Sequence, residues 1–170
     1  MTRVEKLREY VDEVLLNKNN DRDRRMAYVH LYGVAQACAM IAKKRGFDVE
    51  LAIMAGMLHD LYTYKRKDEV RHLGKEAIEE VIKNHRVEGP NYIREILDEL
   101  KLTTNEETDI ISYCHSKGYD GDNEKIRQIE KLVNDANLLQ FYLYDPTSPE
   151  IQPNERLETL LSEVGLTLHY

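Results

Sequence analysis

The chain is poor in the residues that make turns and crosslinks. Its 170 residues include 8 Gly, 4 Pro and 2 Cys. So few Gly and Pro exclude an all-β fold built on many turns. Cys38 and Cys114 both lie in apolar helical patterns. They read as packing groups of a protein in a reducing cytoplasm, not as a disulfide framework. No apolar run approaches the roughly 20 residues that a membrane span needs. The stretch from Met1 to Leu16 mixes acids and bases in an amphipathic pattern, unlike a signal or transit peptide. An excess of positive charge is missing too: 24 Lys and Arg face 31 Asp and Glu, a formal charge of −7. A surface of that sign repels phosphate backbones and argues against a nucleic-acid polymer as partner. A small anionic substrate stays open, because a bound cation can outweigh distant surface charge.

What is present is helical periodicity almost throughout. Val4, Leu7, Val11, Val14 and Leu15 mark a first helix. A second runs from about Arg24 to Lys44 on the stripe Ala27, Leu31, Val34, Cys38 and Ile41, with Gly46 as its stop. Asp48 reads as the N-cap of a third helix, from Val49 to about Leu61. That helix is apolar nearly all round, the mark of a central element. Gly56 within it suggests the close approach of another backbone. A polar basic stretch, Lys65 to Lys67, follows. A fourth helix from about Leu73 to Lys83 and a fifth over Tyr92, Ile93, Ile96, Leu97 and Leu100 are separated by Gly89-Pro90. Thr104 and Glu107 have the form of a capping box opening a sixth helix. A seventh carries Ile126, Ile129, Val133, Ala136 and Leu143, and Pro146, Pro149 and Pro153 then forbid regular helix. A short last helix covers about Glu155 to Val164. The expectation is an all-α, single-domain bundle of about seven to nine helices, with residues 146–170 as an extension packed on its core.

Polar residues that interrupt apolar faces carry the chemistry. His59-Asp60 ends the buried third helix, where an uncompensated carboxylate is costly. His30 lies one turn before Val34, Asp135 lies between Leu132 and Leu138, and His115 follows Ile111 on the sixth helix. Two imidazoles and two carboxylates on buried helices suit one divalent transition metal, and helix bundles build metal sites in this way. The carboxylates make Mn, Fe, Co, Ni or Mg as apt as Zn. Each residue also has an ordinary alternative: a core His bonded to a carbonyl, an Asp that caps a neighbouring helix.

At these residues the chain resembles the HD-domain superfamily of metal-dependent phosphohydrolases. His30 stands in His-Leu-Tyr-Gly-Val; Ala55-Gly56-Met57-Leu58-His59-Asp60-Leu61 is similar to the family's run into His-Asp; Asn134-Asp135-Ala136-Asn137-Leu138-Leu139 resembles its last-Asp segment. The separations, 29 residues from His30 to His59 and 75 from Asp60 to Asp135, agree with that order. The resemblance implies a metal held by His30, His59, Asp60 and Asp135, with His59 and Asp60 at the catalytic centre. It implies a second ion at His72 and His115 in those members that use two, with Asp60 as the bridging carboxylate. His85 reads as a partner of its helix's dipole, and His169 carries no role. Where the family has a second Asp, this chain has Asn137.

The activity implied is hydrolysis of a phosphoester or phosphoanhydride of a nucleotide or other small phosphorylated metabolite. Lys65, Arg66 and Lys67 are the expected phosphate anchors. Alternatives are a two-metal hydrolase of dinucleoside polyphosphates or cyclic nucleotides, and a non-catalytic ligand-binding protein of the same fold. A homodimer is left open. A four-ligand site requires the His30 imidazole and the Asp135 carboxylate to meet.

Overall fold

The computed structural model describes residues 1–18, 20–116, 119–144 and 154–166. Among them are eight α-helices and one 3-10 turn, and no strand: α1 (Arg3–Leu16), α2 (Asp21–Arg45), α3 (Val49–Leu58), α4 (Leu61–Val70), the turn Arg71–Leu73, α5 (Lys75–Leu100), α6 (Asn105–Ser112), α7 (Glu124–Tyr144) and α8 (Glu155–Val164). The all-α class follows the periodicity. Pro146, Pro149 and Pro153 lie outside the described residues.

The helix ends obey local chemistry. Asn20 caps α2 through the N–H groups of Arg22 and Asp23, and Gly46 closes it in the left-handed conformation at φ 67°. Asp48 caps α3 at the Leu51 N–H. Thr104 and Glu107 form the capping box of α6.

α3 is the central helix, with seven of its ten residues buried. It packs most heavily on α2, and α2 also packs on α7. The α2–α3 contact is backbone on backbone at Gly56. A Cβ there would fall 2.6 Å from the Ala35 Cα. α7 runs back along α2, with Gln140 lying over Gly33 at the middle of α2 and Asp135 reached by Arg45 at its end. α8 lies against α2 and α7 and buries Leu157, Leu160 and Leu161.

Two expectations fail, and both failures shape the site. The third helix does not run to Leu61. It stops at Leu58, His59 and Asp60 turn the chain, and α4 begins at once. The polar basic stretch Lys65 to Lys67 therefore lies on a helix. Gly89-Pro90 does not divide two helices either, because α5 passes through Pro90 without interruption. A proline inside a helix costs about 3 kcal/mol. Val81, Gly89, Ile93, Ile96 and Leu97 are buried on both sides of it. Each large apolar side chain withdrawn from water returns about 1.5–3 kcal/mol, so the continuous stripe wins.

Candidate metal centre

Two helices, the α3–α4 junction and the turn after α6 deliver the site. His30 comes from α2, two turns from its start. His59 is the C-cap of α3 and Asp60 the N-cap of α4. His85 comes from α5, and His115 from the turn after α6. An Asp at an N-cap normally accepts from its own helix, but Asp60 makes no such bond. Its carboxylate is left to face the histidines.

The His30 and His59 Nε2 atoms are 3.1 Å apart. Asp60 Oδ2 lies 3.3 Å from His30 Nε2 and 3.6 Å from His59 Nε2. On the other side, Asp60 Oδ1 lies 3.8 Å from His85 Nε2 and 3.9 Å from His115 Nε2. Two groups able to hold a metal ion thus share one carboxylate: His30, His59 and Asp60, and Asp60, His85 and His115.

The tautomers decide what the first group wants. His59 Nδ1 sits 2.8 Å from the Gly56 carbonyl, an acceptor only, so the ring donates from Nδ1. His30 Nδ1 sits 3.2 Å from Gln140 Oε1 and donates there likewise. Both Nε2 atoms then present lone pairs to each other at hydrogen-bond distance. That arrangement is repulsive unless a proton or a metal cation lies between them. Ligands about 2.0–2.1 Å from a metal are about 2.8–3.4 Å apart at right or tetrahedral angles. The separations among His30, His59 and Asp60 fall in and just beyond that range. Asp60 Oδ1, the oxygen that faces His85 and His115, is buried without a hydrogen-bond partner, as an unused donor to a cation would be. The residues therefore fit a divalent metal.

The electrostatics keep the ligands ready. Burial pushes His59 down to about 3 and His115 down to about 4, against the pull of Asp60, so both are neutral at physiological pH. Burial alone would raise Asp60, but His59, His30 and His115 outweigh it and hold the carboxyl below its usual range. Burial raises both Cys thiols, which are packing groups.

Several expected residues stand elsewhere. Asp135 does not reach His30. It is buried, with Oδ2 at 2.8 Å from Arg45 and Oδ1 at 2.6 Å from Arg156. Arg45 ends the helix on which His30 lies near the start; fifteen residues at 1.5 Å each put them about 22 Å apart. Gln140 faces His30 instead, five positions after Asp135 and about 140° around the helix. Asn137, a turn before Gln140 on the same side, has a buried amide oxygen with no hydrogen-bond partner. His72 is exposed in the 3-10 turn and joins neither group. His85 occupies the place expected for it. The unbroken α5 puts His85 on the stripe Val81, Gly89 and Ile93, a four-residue rhythm that the sequence carries but that Gly89-Pro90 disguises. Lys65 lies over the Tyr92 ring, and Arg66 pairs with Glu69. Neither they nor Lys67 line the groove beside the metal ligands. That groove, about 660 Å³, is lined by His30 and Asp60 at its base, by Met26, Val29, Phe141 and Tyr144 along its walls, and by Arg22 and Arg25.

No curated protein and no solved structure gives a significant match to this chain. The HD domain family model matches residues 27–146, a span that contains every ligand of both groups and well over half of the chain. This protein is a member of the HD domain family.

Proposed function

We propose that the protein is a metal-dependent phosphohydrolase that cleaves a phosphoester or phosphoanhydride of a nucleotide or other small phosphorylated metabolite. The observation that carries this is the pair of Nε2 lone pairs converging on Asp60 at the base of an open groove. His30, His59 and Asp60 would hold one ion, and Asp60, His85 and His115 a second. Divalent ions held there would supply positive charge against the phosphate oxygens and a more acidic water.

The chain's own residues do the rest. Gln140 and the Gly56 carbonyl fix the His30 and His59 rings through Nδ1. Asp60 turns one oxygen to each side of the site. Burial raises the Tyr64 hydroxyl above its ordinary pKa, so it keeps its proton and can donate to a phosphate oxygen but not act as a base. Met26, Val29 and Phe141 offer an apolar wall against the non-reacting part of the substrate, and Tyr144 a face on which a base can stack. The two ligand groups also favour the narrower reading of a two-metal hydrolase of dinucleoside polyphosphates or cyclic nucleotides. Non-catalytic binding is the less supported reading, since both groups are complete. The buried thiols fit a cytoplasmic protein.

The test is elemental analysis followed by a nucleotide and sugar-phosphate panel with Mn, Co, Ni, Mg and Zn. Hydrolysis should depend on metal and be lost in His59→Ala and Asp60→Ala while circular dichroism stays helical. Wild-type rates in either variant would overturn the ligand assignment.

A further inference from the structure

The first turns of α2 hold charges that the stability of the fold does not explain. The sequence Asp21-Arg22-Asp23-Arg24-Arg25 puts three arginines at a helix N-terminus, where the macrodipole disfavours positive charge. One of them is compensated. Arg24 pairs with Asp21, and the second acid, Asp23, is taken by Arg71 from the far side of α4. Arg22 and Arg25 make no ion pair with a described residue, are exposed, and both line the groove. They share a face of α2 with Met26, Val29 and His30. Arg25 is five residues from His30 and Arg22 eight, about 8 and 12 Å along the helix axis.

We infer that Arg22 and Arg25 bind a second phosphate of the substrate, separated from the reacting one by a nucleoside-sized body. This rests on the proposed hydrolase reading and names its substrate class: a small molecule with two spatially separate phosphates. The reacting phosphate lies at Asp60 and the histidines, the body against Val29 and Phe141, and the distal phosphate between two guanidinium groups. A guanidinium is the group best shaped to clamp a phosphate through paired N–H bonds. Two phosphates joined by one bridging oxygen would both stay near the metal ligands and would not reach the arginines equally well.

The test compares adenosine 3′,5′-bisphosphate, adenosine 5′-diphosphate and adenosine 5′-monophosphate on Mn-loaded protein. The readout is kcat/KM for probes that turn over and calorimetric Kd for those that do not. The separated bisphosphate should be favoured about tenfold or more over both others, from at least one strong charge-assisted contact. Arg22→Ala/Arg25→Ala should shrink that preference to about threefold or less, and Arg22→Lys/Arg25→Lys should restore part of it. A wild-type protein without the preference, or a double variant that keeps it, overturns the inference. Absence of turnover with all three in wild type would count against the hydrolase reading alone, since the binding ratios still decide the role of the arginines.

Discussion

His85 and His72 show how much a single residue's meaning depends on its surroundings. Both are imidazoles on the charge-rich run that follows the His-Asp pair. One is exposed in a 3-10 turn; the other lies 3.8 Å from the Asp60 carboxylate, with its Nδ1 donating to the Ile82 carbonyl. Removing one ligand of three from a metal site commonly costs far more than losing a surface charge. His85→Ala should therefore release one of two bound ions, or weaken it by at least about tenfold, while His72→Ala leaves stoichiometry unchanged. Metal titration of both variants checks this. Equal retention of metal by the two would remove His85 from the site.

At the scale of the element, α7 assigns different work to its two sides. Gln140 fits over Gly33, where a Cβ would come within 2.6 Å of its Cγ, and so reaches the His30 ring. Asp135, on another side, ties α7 to the end of α2 through Arg45 and to α8 through Arg156. Arg45 also holds Glu163 on α8 at 2.7 Å. Asp135 is thus a clasp between helices. Asp135→Ala should lower unfolding stability by about 1–3 kcal/mol, the worth of lost charge-assisted bonds whose partners can still reach water. Its Mn affinity should stay within about twofold of wild type, a difference of under about 0.5 kcal/mol. Chemical denaturation and metal titration of the same sample separate the two effects. A large loss of metal affinity at full stability would return Asp135 to the ligand set.

For the whole molecule, the buried histidines couple stability to pH. His59 and His115 are held near 3 and near 4 by burial, whereas an unfolded chain binds their protons below about 6.5. Between those limits the unfolded state takes up protons that the fold refuses. Stability is fully present above pH 6.5 and is lost as pH falls, by up to about 1.4 kcal/mol per pH unit for each histidine. Asp60, whose carboxyl is held down, adds a further loss below its ordinary range. Chelator-treated protein should therefore unfold at progressively lower urea from pH 7 to pH 5, and His59→Gln should flatten the slope. Metal-loaded protein should show a steeper dependence, because protons and metal compete for the same nitrogens. A flat profile over that interval would contradict the buried neutral histidines.

The sequence by itself determined the helical class, most helix limits, and the adjacent pair His59-Asp60 at the end of a buried helix. Periodicity, caps and one adjacent pair carry those facts locally, within a turn or two of chain. It also showed that Gly56 needs a neighbouring backbone. Tertiary structure alone decided which distant residues join them. Whether Asp135 or Gln140 faces His30 depends on how α7 is set against α2, because the two lie about 140° apart on one broad buried arc of the helix and both are buried. Whether α5 breaks at Pro90 depends on the core it covers, which outweighs local propensity. Arg22 and Arg25 line the groove and Lys65–Lys67 do not for a similar reason: charge is legible in sequence, but the groove it faces exists only where three helices come together.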